Sequence, residues 1–232
     1  MNPATGAMSI PRRGCGRWGT SACSPATRSP RACTRCVKAA IDTPCRRLLA
    51  RAGEQQEIAS MDLPRLIERL ECFPASLHAL LGGMREEDAR WKPPSGNWSI
   101  LEIVCHLADE EAEDFRPRVE STLRDPGEAW KRIDPERAAV ERRYNERKLG
   151  DSLHRFAAER TNSVAWLRLL RNPDWTTTYA HAQFGPLRAG DLMAAWAAHD
   201  ALHLRQIAKR MYELAKRDAF GFEVGYAGEW RS

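Results

Sequence analysis

Four stretches of apolar 3.6-residue periodicity, each about 20 residues long, predict an all-α fold, a four-helix bundle. Strand signal is confined to one short stretch, and no internal repeat is evident. No apolar run reaches the roughly 18 residues that a membrane span needs. The bundle should occupy residues 61–215, behind a basic extension of residues 1–60 and ahead of a short Gly-rich, aromatic tail, residues 216–232.

The first helix lies in "DLPRLIERLECFPASLHALLGG". Asp62 can cap it, Leu63, Leu66, Ile67 and Leu70 form its stripe, and Gly82-Gly83 ends it. Pro74 should kink it or mark a bend. A polar linker with Pro93-Pro94 follows. The second helix opens at "NWSILEIVCHLADEEAEDFRPRVE", with Ser99 and Glu102 spaced as a capping box. Ile100, Ile103, Val104, Leu107 and Phe115 mark its buried side. The charged stretch with Pro126, Gly127 and Pro135 reads as a connection. The third helix is "ERKLGDSLHRFAAERTNSVAWLRLLRN", ended by Pro173. "DWTTTYAHAQFGPLR" reads as an extended loop with room for a short hairpin. The fourth helix, "AGDLMAAWAAHDALHLRQIAKRMYELAKR", should be capped by Asp191. Its inward face should carry Leu192, Ala195, Trp196, Leu202 and Ile207.

Charge and cysteine divide the chain in the same place. Residues 1–60 carry 10 Lys+Arg against 3 Asp+Glu, whereas the remainder carries 26 against 28. The bundle therefore offers no electrostatic reason to expect nucleic acid or an anionic membrane as a partner. Five of the seven cysteines lie in the first quarter, including a lone C-x-x-C at Cys33 and Cys36, which lacks the second pair of a zinc ribbon. Cys72 and Cys105 read as reduced core residues, which points to a reducing compartment, the cytoplasm. The extension can bury little, so disorder is the expectation, with one short helix at residues 37–58. Its Arg- and Ser-rich composition has no secretory h-region and is shared with transit peptides; a start at Met61 is the plainer reading.

The chemistry sits in histidines. His199 and His203 are i and i+4 on the fourth helix, about 40° apart around its axis, so both imidazoles can reach one point. His106 lies among the apolar positions of the second helix. Facing helices of a bundle commonly build a metal site from such side chains. Three neutral imidazoles leave a coordination position open, as catalytic sites do. A divalent ion is the implied cofactor: zinc or nickel first, iron or manganese as further options.

"NWSILEIVCHLADEE" and "FGPLRAGDLMAAWAAHDALHLRQI" together resemble the DinB-like superfamily of four-helix-bundle metalloproteins. The matching positions are Trp98-Ser99, His106, Phe184-Gly185, His199, His203 and Gln206-Ile207. The resemblance covers residue 61 to about residue 214. It implies a metal site at His106, His199 and His203, and a homodimer. Characterised members of that superfamily include thiol-dependent transferases and isomerases, so the resemblance also implies a low-molecular-weight thiol as co-substrate.

"HDALH" is one carboxylate away from the zinc-protease H-E-x-x-H. Asp200 is a methylene shorter than Glu, and no His follows His203. The protease-like ligand set would need Glu223 as its third member, and upstream His106 is the better one. Asp200 then reads as a solvated helix residue or a partner of a ligand. Asp109 and Glu110 lie one turn beyond His106 and can orient it or face a cavity, while Glu111 and Glu113 read as acidic surface. His181 reads as a loop residue, with the pocket mouth as its other setting. His78 and His154 read as structural, Trp166 and Trp196 as core, and Cys105 as no nucleophile. The function expected is a metal-dependent thiol S-transferase or hydrolase. The rival is a non-catalytic, stress-related bundle that binds metal or oligomerises.

Overall fold

A computed structural model describes residues 61–230. The expectations for residues 1–60, namely disorder, the C-x-x-C and the short helix, lie outside the described residues.

Local chemistry sets the helix ends. In α1 (Leu63–Leu81) the Asp62 side chain accepts from the backbone N–H of Arg65, and Pro64 stands in the first turn, where its missing N–H costs nothing. Pro74 lies inside this helix, which runs on through it. Having no N–H, Pro74 leaves the Leu70 carbonyl without its helical donor. Arg160 supplies one: its Nη1 donates to that carbonyl at 3.0 Å.

One turn, α2 (Glu86–Ala89), leads to α3 (Ile100–Glu110). Ser99 and Glu102 form the expected capping box, with both of its hydrogen bonds present. All eleven residues of α3 are buried, because α5, α2 and a 3-10 turn at Tyr144–Glu146 cover the side that a bundle helix would normally turn to water. The chain continues through a π-helical turn, Glu111–Phe115, into α4 (Arg116–Arg124). The charged connection also folds: Asp134 caps α5 (Pro135–Glu141), with Pro135 at its first position. Next come α6 (Leu149–Leu169) and an antiparallel hairpin, β1 (Thr178–His181) with β2 (Gly185–Arg188), so the extended loop takes its hairpin form. Gly185 closes that turn at φ +72, a conformation that favours glycine. The last helix, α7 (Ala189–Asp218), begins earlier than its expected cap: Arg188 is the N-cap, and Asp191 sits three residues in, accepting the Arg188 N–H at 2.9 Å.

Helices α1, α3, α6 and α7 make the four-helix body, with α6 and α7 each packed on both α1 and α3. One apolar cluster gathers Leu77, Leu101, Val104, Phe156 and Ile207; a second gathers Leu70, Val164, Leu167, Met193 and Trp196. A buried charge network ties the four helices together. Arg160 on α6, 1% exposed, pairs with Asp200 on α7 through two hydrogen bonds of 2.7 and 2.8 Å. It also pairs with Glu111 at 2.7 Å, and Glu111 accepts from the Trp196 indole at 2.6 Å. Glu111 is thus a core residue, 1% exposed, and no part of an acidic surface. Asp200 is likewise buried, and its partner is an arginine where solvent was one expectation. The inward face of α7 runs Trp196, Asp200, His203, Ile207, Arg210 and Leu214. Leu202, 58% exposed, lies on the other side, Ala195 is exposed, and so is Cys72. Among the described residues no helix is long and apolar enough to cross a membrane.

Candidate metal centre

The helical pitch brings His199 and His203 together, and the packing of α3 on α7 adds His106. The three offer ligand nitrogens that all lie within 4.8 Å of one another. Nε2 of His199 and Nε2 of His203 stand 2.9 Å apart. The His106 ring centre is 4.7 Å from that of His203 and 5.6 Å from that of His199. Glu223, the third member of the protease-like alternative, is exposed in the tail and does not join them.

Burial holds these rings neutral. It pushes His106 and His199 down to about 3, helped in each case by the nearby His203. It lowers His203 as well, against the opposing hydrogen bond of Gln206. Gln206 Oε1 stands 2.9 Å from His203 Nδ1, so Nδ1 carries the proton and Nε2 turns a lone pair to the centre. With the proton of His203 on Nδ1, its Nε2 accepts a hydrogen bond from Nε2 of His199 at 2.9 Å, and an ion held by the three rings would take the place of that shared proton. The neutral, all-nitrogen donor set fits a divalent transition ion.

Aromatic rings wall the site. Trp98 lies edge-on to His106, with centres 4.9 Å apart, and Phe115 lies edge-on to His199 at 5.0 Å. Phe115 reaches this position from the π turn, the kind of helix irregularity often found at functional sites.

Carboxylates stand on one side. Glu110 Oε1 is 3.5 Å from His106 Nδ1, one helical turn along α3. Burial, and then the hydrogen bond with Asp114, push Glu110 up to about 9. Asp109 turns elsewhere: it accepts from the Tyr144 hydroxyl and pairs with Arg142 and Arg155. Burial alone would raise its pKa, but Tyr144 and Arg155 outweigh that and hold it below the usual range. Glu113, expected at the surface, pairs with Arg142 at 2.7 Å.

Two cavities reach His106. One, about 480 Å³, is polar and includes Asp109, Glu110, Arg142 and Tyr144 in its wall. The other, about 600 Å³, includes Trp98, His203 and Gln206. A third groove of about 600 Å³, between α1 and α6, lies away from the three histidines. The remaining histidines play smaller parts. His181 accepts two backbone N–H groups through Nδ1 in the hairpin turn, and His78 stacks on His154 with ring centres 6.0 Å apart. Cys105 is buried, which raises its thiol pKa.

Sequence reasoning named the three histidines that the structure brings together, and it named Asp109 and Glu110 as residues to orient His106 or face a cavity; Glu110 stands at His106, whereas Asp109 lines the polar cavity and is held by Tyr144 and two arginines. It missed Tyr144, Arg142 and Arg160, which reach the neighbourhood from distant segments with no local spacing to betray them. Glu111 had a signal: it falls four residues after buried Leu107, on the same side of the helix.

The solved structure of YfiT from Bacillus subtilis, described as a probable metal-dependent hydrolase with an unusual four-helix bundle topology, superposes with a TM-score of 0.61. The match covers 68% of this chain and 90% of that one at 18% identity, so it carries the fold and nothing more. No curated protein matches the sequence. The family model of the DinB superfamily matches residues 69–207, which takes in the capping box, all three histidines and Gln206. The chain belongs to the DinB superfamily.

Proposed function

We propose that the protein is a metal-dependent enzyme, a thiol S-transferase or hydrolase, in which His106, His199 and His203 hold one divalent ion. The observation that carries this reading is the meeting of three neutral imidazoles, two buried and His199 half-buried, where two cavities reach the same side chain. A divalent ion supplies Lewis-acid charge there and lowers the pKa of a water or thiol that it binds. Around it the chain's own residues hold the geometry. Gln206 fixes the tautomer of His203, Trp98 and Phe115 exclude water, and Glu110 faces His106. Zinc or nickel suits three imidazoles best, with iron or manganese next. The description of YfiT as a probable metal-dependent hydrolase supports the hydrolase arm. Two cavities at one histidine support the transferase arm, since a transfer brings two substrates together. A low-molecular-weight thiol is the co-substrate of that arm. The free thiols of Cys72 and Cys105 fit a reducing compartment, and a homodimer is the assembly to test by sedimentation.

The test compares metal-loaded and metal-free protein in conjugating a thiol to monochlorobimane, and in hydrolysing activated esters. The loaded protein should be faster in at least one reaction. Equal rates in both would remove the enzyme and leave a metal-binding bundle.

A further inference from the structure

The cavity of about 600 Å³ extends from His106 and His203 along α7, past Gln206, to Lys209 and Arg210. Arg210 lies seven residues beyond His203, two turns on the same face, so it sits about 10 Å farther along the axis. It is 4% exposed, as deep as the core around it. Its one ion-pair partner among the described residues is Glu213, on its own helix, at 2.8 Å. That contact is poorly aimed, for Nη1 of Arg210 and Oε2 of Glu213 are both buried without a hydrogen bond. Lys209 makes no ion pair among the described residues. The one carboxylate in the cavity wall, Glu136, is engaged by the Trp98 indole, which donates to it at 3.1 Å.

A buried guanidinium that finds no well-placed acceptor is costly, and its planar fork matches a carboxylate. The ends of this cavity therefore differ in chemistry: the imidazoles of His106 and His203 at one, the cationic side chains of Lys209 and Arg210 at the other, and the Trp98 ring in the wall. We propose that the cavity binds an anionic substrate, one that carries a carboxylate about 10 Å from the atom placed at the three histidines. Lys209 and Arg210 are its anion-binding pair. This rests on the metal reading above and adds the substrate class. A hydrolase or transferase built this way selects acids over neutral analogues of the same length, because only the acid offers Arg210 a charged, two-oxygen acceptor. Length matters too, since a short acid cannot reach both ends.

The experiment titrates cobalt(II)-loaded protein with 8-mercaptooctanoate and 8-mercapto-1-octanol, reading the near-ultraviolet band of sulfur on cobalt. The acid should bind about tenfold tighter, as one charge-assisted contact warrants. With 3-mercaptopropionate and 3-mercapto-1-propanol the difference should vanish. Arg210→Gln should abolish the preference for the long acid and leave the alcohol's affinity unchanged. Lys209→Gln, at a half-buried position, should reduce the preference severalfold, and it carries the test if Arg210→Gln does not fold. Equal binding of the long acid and alcohol to the wild type overturns the proposal, as does an undiminished preference in both variants. A protein that takes up no cobalt contradicts the metal reading instead. The subsite is then decided by calorimetric titration of the metal-free protein with octanoate and 1-octanol, where the same preference and the same dependence on Arg210 are required.

Discussion

Gln206 decides which nitrogen of His203 faces the other imidazoles. Its Oε1 accepts from Nδ1, which leaves Nε2 free to bind. Gln206→Leu removes that acceptor at an exposed position, so the fold should survive while metal affinity drops about 10–100-fold, measured by chelator competition. The depressed pKa values of His106 and His199 have a consequence for stability. Both stay neutral in the fold down to about pH 3, whereas in the unfolded chain they protonate near pH 6.5. Their contribution is therefore intact above about pH 6.5 and is lost progressively as pH falls toward about 3. Urea denaturation of the metal-free protein should show less loss between pH 7 and pH 5 in His106→Gln than in the wild type. Glu110 acts in the opposite sense, since a raised carboxyl pKa favours the fold at low pH and loses its effect as pH rises through about 9. The histidines were legible in the sequence because i, i+4 spacing on an apolar face is itself geometry. The residues around them were not, because Tyr144 and Arg142 reach α3 through a loop whose path no periodicity encodes.

At the scale of elements, α3 explains most of what the sequence hid. A helix with an acidic run, "ADEEAED", looks half solvated, yet α3 is buried on every side. The covering pieces, α2, α5 and the 3-10 turn, are too short for a 3.6-residue period to register, so the charged connection gave no helix signal apart from Asp134 before Pro135. The longer helices were legible by stripe, and α1 and α3 by cap as well: Asp62 caps α1, and Ser99 with Glu102 forms the box its spacing predicts. Pro74 was expected to kink α1 or mark a bend; the helix runs on through it, and Arg160 serves the carbonyl that Pro74 leaves free. Arg160 thus joins α1, the π turn and α7. Arg160→Met strands Glu111 and Asp200 as buried carboxylates and should cost roughly 3–5 kcal/mol by urea denaturation. Replacing all three, as Arg160→Met, Glu111→Leu and Asp200→Leu, should cost less than the single change, because no buried charge is then left alone. A single variant as stable as the wild type would show that the network contributes nothing to the fold.

In the whole molecule one fold carries one candidate site. Apolar stripes hold four helices, and the three histidines use only two of them, α3 and α7. The bundle should therefore fold without metal and gain stability with it. An ion at a hundred times its dissociation constant adds about 2.7 kcal/mol, which chelator should remove as a lower melting temperature. The central claim is that His106, from a different helix, completes the pair made by His199 and His203. The decisive measurement is metal content per chain, by elemental analysis of protein purified without an affinity tag, for the wild type, His106→Ala, His203→Ala and Glu223→Ala. Close to one equivalent is expected in the wild type and in Glu223→Ala, and severe loss in both histidine variants with their helical content retained. Full occupancy in His106→Ala, or loss of metal in Glu223→Ala, would contradict that claim.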